Sequence, residues 1–285
     1  MASPCAPATA GRGAGVCAGM KALLWILAAV GASAQPPDVH EIMRRVAWNQ
    51  AKTVDAREEF LYHQKQNVRL RRTNGKLVRD EFREYDVTPT PRGIHRTLIA
   101  SQNRHWKDGD YKVFDEDADG LDASLAEAFV DNFHDANKSR DGIDSDLFPL
   151  TYHQQLKYEF RLAGQETYRG RSVYRVAFVP HDRYGWKGEA LIDAEEYQPV
   201  FVGTKMAHGV PLPVKALLGT DVKGLGFSVS YQKFADGVWF PDSYGGEFEL
   251  HILFVYKRTI SIALTNTGFR RVDVSSQVSY SAEAQ

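Results

Sequence analysis

The most chemically suggestive spacing in this chain is the acidic run Asp115-Glu-Asp-Ala-Asp-Gly-Leu-Asp122. Asp115, Asp117, Asp119 and Gly120 fall on positions one, three, five and six of a calcium-binding helix–loop–helix hand, whose hard cation takes six or more oxygen ligands. The match then breaks. Position eight, normally aliphatic, is Asp122, position twelve is Ala126, and Glu127 comes one residue late for the bidentate role. The preceding segment 111–114 reads as a strand where a hand needs a helix. The acids therefore read first as a solvated turn that favours the positive end of the next helix, with calcium on Asp115, Asp117 and Asp119 as the alternative.

Other reaction chemistries find no foothold. The chain has no Gly-x-Ser-x-Gly elbow and no Ser-x-x-Lys pair for a serine nucleophile. Its nine histidines lack the His-Glu-x-x-His spacing of a zinc site. His95 and His105 fall on what read as neighbouring strands, where surface positions explain them better than a shared site. Asp193, Glu195 and Glu196 sit at a turn, where acids are common. The glycines of 219–226 are not followed by the helix and lysine of a phosphate loop. The expectation is a protein without catalysis or cofactor.

The elements that would position a site are mostly strands. Asp38 caps a helix with Ile42, Met43, Val46 and Ala47 on one face and Trp48 beside them, ending near 52–53. Strands follow at 57–71 and 77–87, joined at Thr73-Asn-Gly75 and ended by Pro89 and Pro91. Two more are read at 93–101 and 105–114. Residues 115–150 interrupt the sheet, with Ser124 and Glu127 as a capping box for a helix bearing Leu125, Phe129 and Phe133. Strands resume at 158–167, 171–179, 187–193 and 198–207. In the closing stretch 225–280, Phe227, Val229 and Tyr231 alternate with polar residues, and Asp236-Gly237 signals a hairpin. Along 248–256, Phe248, Leu250, Ile252, Phe254 and Tyr256 line one face. Leu253 and Val255 would make part of the second face apolar as well. Roughly ten sequential antiparallel strands with helical material at the start and middle make one α+β domain.

The N-terminus reads as a secretory leader. Lys21 precedes the apolar run 22–30, Ala32-Ser-Ala34 has the small-x-small cleavage pattern, and the run is too short for the ~20 residues that span a bilayer. Met20 is the natural start, residues 1–34 are removed, and 35–285 form a single exported, periplasmic domain. Cys5 and Cys17 both precede the cut, so the mature domain has no disulfide and no lipid-attachment cysteine. With 35 Lys+Arg against 36 Asp+Glu, the chain has no electrostatic footprint for nucleic acid.

What remains is a set of strand aromatics, Phe201 among them, that would fill a closed barrel or wall the cavity of an open one. The candidates for an apolar wall are Phe60, Tyr62, Leu98, Tyr174, Phe178, Phe227, Tyr231, Trp239, Phe248 and Phe254.

The segments Gly170-Arg-Ser-Val-Tyr-Arg-Val-Ala-Phe178, Ile192-Asp193, Pro199-Val-Phe-Val202 and Asp236-Gly-Val-Trp-Phe-Pro241 come in a familiar order. Over residues 38–280 the chain resembles the outer-membrane lipoprotein-sorting (LolA/LolB-like) family of periplasmic carriers. The resemblance implies an unclosed antiparallel half-barrel of about eleven strands with helices covering the concave face, and an apolar cavity for acyl chains. It implies a monomeric, non-catalytic carrier of a lipid or lipoprotein acyl chain. Two rival readings are an envelope-stress sensor that binds an envelope membrane-protein partner, and an envelope-directed hydrolase. The family's cavity arginine has no matching position in this sequence.

Overall fold

Asp38 opens the first element as expected. The structure, a computed structural model, describes residues 37–90, 93–114, 120–126, 148–182, 185–208, 221–234, 237–253 and 255–272. The Asp38 carboxylate accepts the His40 amide at 3.1 Å and starts α1 (Val39–Arg57). Its apolar face, Ile42, Met43 and Val46, is at most 2% exposed, while Trp48 stands 63% exposed on the far side. The helix runs a turn past 52–53 because Thr53 and Arg57 bury their side chains in the same stripe. Arg57 Nε donates to the Trp239 carbonyl at 2.6 Å.

Among the described residues, twelve strands make one antiparallel sheet. They are β1 (Phe60–Arg71), β2 (Leu77–Thr90), β3 (Gly93–Lys107), β4 (Asp110–Phe114), β5 (Tyr158–Tyr168), β6 (Arg171–Pro180), β7 (Trp186–Asp193), β8 (Pro199–Met206), β9 (Asp221–Lys223), β10 (Gly226–Lys233), β11 (Trp239–Ile252) and β12 (Tyr256–Arg271). Their order is β4-β3-β2-β1-β12-β11-β10-β8-β7-β6-β5, with β9 paired to β11 outside that path. β4 and β5 are the free edges, so the sheet is an unclosed half-barrel in an α+β domain. The first and last major strands close its centre, where Val68 lies opposite Ile262 and Leu70 opposite Ile260. α1 packs against this face, as do Phe148 and Leu150, which precede the short α2 (Tyr152–Gln155).

Several boundaries differ from the sequence expectation. β2 continues through Pro89, which pairs with Ile94 at the strand end, where a missing amide is tolerated. Residues 93–107 form one long strand, so His95 and His105 share β3 instead of facing each other across two strands. Ser124 lies inside the helical residues 121–126 and its hydroxyl donates to the Gly120 carbonyl at 3.3 Å, so it caps nothing.

The larger correction concerns 248–256. The strand stops at Ile252 and the chain turns at Leu253, whose φ is +50°, before β12 starts at Tyr256. Leu253 and Val255, 64% and 84% exposed, are therefore turn residues and give β11 no second apolar face. β12 occupies 256–271 because Ile260, Ile262 and Leu264 alternate on the buried side. The leader expected at 1–34, and Asp115, Asp117, Asp119, Phe129, Phe133, Asp236 and Phe254, lie outside the described residues.

Candidate functional site

Seven of the proposed wall residues lie in the packed interior. Phe60, Tyr62, Phe178, Phe227, Tyr231, Trp239 and Phe248 are each 9% exposed or less. Phe60 and Tyr62 border a small void of about 10 Å³, room for no more than one water. Tyr174 packs tilted against Tyr197 with ring centroids 6.2 Å apart, and its phenol is pushed up by burial and by that neighbour. Leu98 is 53% exposed on β3.

Open space lies elsewhere, along a line of glycines. The pairings place Glu189, Gly203, Ser228, Gly245 and Ala263 side by side across β7, β8, β10, β11 and β12. Gly188, Gly226 and Gly246 flank that row. A methyl group at Gly188 would lie 1.9 Å from the Gly203 carbonyl oxygen, and one at Gly226 would lie 2.2 Å from the Thr204 carbonyl oxygen. At Gly245 the obstacle is the Ile262 carbonyl oxygen, 2.1 Å away. The strands approach so closely that only glycine fits, and this is how a sheet acquires a sharp coil.

Because these positions carry no side chains, a groove of about 680 Å³ opens over them. Phe178, Phe201 and Phe227 line it together with bare glycine backbone, Phe201 half-buried and the other two nearly covered, and Lys187, Glu189 and Lys205 stand along it. This volume is in the range of small-molecule sites, and the mixture of apolar wall and few charges is typical of them. Trp186 packs edge-on to Phe227 at 5.4 Å and so reports on the groove. Phe178 and Phe227 are the two proposed wall residues that line it. The sequence signal for this groove is the set of glycines inside otherwise regular strand patterns, which mark bulges or close backbone approach, while Lys187 and Lys205 carry no local signal.

The acids of the β7–β8 turn have a definite task. The Asp193 carboxylate, in a residue 2% exposed, accepts Arg171 Nη1 at 3.0 Å and the amides of Glu195 and Glu196 at 3.0 and 2.7 Å. Glu196 accepts Trp239 Nε1 at 3.0 Å and Lys233 Nζ at 2.9 Å. Burial alone would raise the Glu196 pKa, but these donors outweigh it and hold the carboxyl below its ordinary range. Asn49 Nδ2 of α1 donates to the Glu196 carbonyl at 2.7 Å, and Gln50 donates to Gln198 at 2.8 Å. The turn thus fastens α1 to the β10–β11 hairpin.

The far wing of the sheet is polar on the side that continues the core face. Leu70 and Val68 of β1 lie opposite Arg79 and Glu81 of β2, which lie opposite His105 and Asn103 of β3. Arg79 and Arg83 both pair with Glu81, and the Arg79 guanidinium stacks 4.4 Å over the Phe114 ring. From the acidic run, Asp122 is described. It accepts Arg258 Nε at 2.8 Å and the Tyr256 hydroxyl, so it is a structural ion-pair partner. Among the described residues no group of three or more His, Cys, Asp or Glu is placed to hold a metal ion. No described helix is long and apolar enough to cross a membrane.

Neither a family model nor a curated protein matches this chain. Among solved structures, it is similar to a putative outer-membrane lipoprotein-sorting protein domain from Vibrio parahaemolyticus at 11% identity, covering 84% of this chain and 95% of that one, with a TM-score of 0.36. A DUF1329 family protein from Desulfovibrio piger matches at 11% identity over 84% and 95% of the two chains, with a TM-score of 0.33. A LolA superfamily protein from Nitrosomonas europaea matches at 12% identity over 79% and 94%, with a TM-score of 0.31.

Proposed function

We propose that this protein is a non-catalytic periplasmic carrier that holds a lipid or lipoprotein acyl chain, released from its leader 1–34 as a soluble monomer. The observation that carries the reading is the groove of about 680 Å³, walled by Phe178, Phe201 and Phe227 over side-chain-free backbone. An acyl chain gains by leaving water along such a wall at about 25 cal/mol per Å². It needs no directional partner, which matches a wall of rings and glycines. The filled interior under α1 and the open volume over the coiled β6–β11 region support placing the chain in the groove.

Ser228 provides the test. It lies between Gly203 and Gly245 in register, so a phenyl group in its place would lie over two residues without side chains. An environment-sensitive fatty-acid probe should brighten on binding the native protein and bind S228F at least about tenfold more weakly. Native mass spectrometry of protein purified from the envelope should show a bound lipid. A native protein with neither bound lipid nor probe response sinks the reading.

A further inference from the structure

Lys187 of β7 and Lys205 of β8 are directly paired across the strands, at one end of the groove. Side chains opposed in this way have Cβ atoms about 5 Å apart, and like charges so placed repel. Neither ammonium has an ion-pair or hydrogen-bond partner among the described residues. The nearest acid along the groove, Glu189, is already engaged by Arg175 Nη1 at 2.9 Å. Beyond Lys187 the groove adjoins a second cleft of about 380 Å³ bordered by His181, Asp182 and His208.

Two unpaired ammonium groups side by side on the rim of an apolar groove fit a shared oxyanion. We propose that Lys187 and Lys205 form the head-group end of the site and grip the carboxylate or phosphate of an amphiphile whose chain lies along Phe201 and the glycine backbone of the groove. The anion converts a repulsive pair into two charge-assisted contacts, stronger than neutral hydrogen bonds. This inference rests on the carrier reading and sharpens it. A chain-binding groove alone would take neutral and anionic amphiphiles alike, whereas this one selects the anion.

The experiment follows Trp186 fluorescence in the native protein and in the K187Q/K205Q variant, at low ionic strength. The probes are dodecyl phosphate, dodecyl maltoside and inorganic phosphate. The native protein should bind dodecyl phosphate at least about tenfold more tightly than the maltoside, and this preference should fade with added salt. The double variant should lose the preference and keep its maltoside affinity, which also shows that its groove is intact. Equal binding of the two amphiphiles by the native protein overturns the inference while leaving the carrier reading standing, as does a preference that survives in the variant. Inorganic phosphate binding as tightly as dodecyl phosphate overturns it too, by assigning the lysines to a free anion. Failure of both amphiphiles to bind removes the carrier reading itself.

Discussion

Gly245→Ala should be among the most damaging small substitutions in the chain. The added methyl would lie 2.1 Å from the Ile262 carbonyl oxygen and 3.0 Å from Ala263 Cα, both backbone atoms of the neighbouring strand. Backbone cannot rotate out of the way as a side chain can, so β11 and β12 must separate locally by about 1 Å to restore ordinary contact. Overpacking of this kind costs about 1–3 kcal/mol. Weakening one or two ladder hydrogen bonds beside it adds about 1 kcal/mol each. A total near 3 kcal/mol, at about 2–4 °C per kcal/mol for a domain of this size, lowers Tm by about 6–12 °C. Two controls isolate the cause. Gly203→Ala meets only the Phe201 ring, at 3.2 Å, which can swing aside, and should cost under about 1 kcal/mol. Gly75→Ala meets nothing within 4 Å but has φ +82°, so it reports left-handed backbone strain alone, about 1–2 kcal/mol. Thermal melts and urea titrations of the three variants test the argument. A Gly245→Ala protein melting within about 2 °C of the native one would refute the claim that close backbone approach forces the coil and with it the groove.

Two further outcomes follow from charged groups. Because the Glu196 carboxyl is held below its ordinary range in the folded state, it stabilises the protein above its unfolded pKa, and that contribution is lost as pH falls through the folded value. The Tm deficit of E196Q should therefore be largest near neutrality and shrink as the pH is lowered through the range in which the folded carboxyl takes up its proton; a deficit independent of pH would contradict this. The Tyr256 phenol is pushed above the usual tyrosine range by burial and by its hydrogen bond to Asp122. Ultraviolet titration, with Tyr256→Phe subtracted to isolate the residue, should show Tyr256 ionising at lower pH in D122N than in the native protein. An unchanged titration would detach residues 121–126 from the β11–β12 hairpin.

Local signals were readable where they depend on one residue or one short period. Asp38 capped its helix, Asn74-Gly75 turned β1 into β2, and Phe227, Val229 and Tyr231 alternated as the strand required. The readings that failed needed partners distant in sequence. Leu253 and Val255 continued an apolar run in sequence, yet the chain reverses at that point so that β12 can lie between β11 and β1. The aromatics were legible as residues facing the sheet's packed side, but nothing local distinguishes a ring that fills the core from one that lines open space.

The sequence by itself determined an antiparallel α+β domain with an N-terminal helix, because helix caps, turns and period-2 alternation act within a few residues. Only the tertiary structure decided where that domain is open. The groove depends on five glycines from β7, β8, β10 and β11 falling in nearly one line, and on Lys187 landing opposite Lys205. Both are facts of register, set by the packing of the whole sheet, and no stretch of the chain carries them alone.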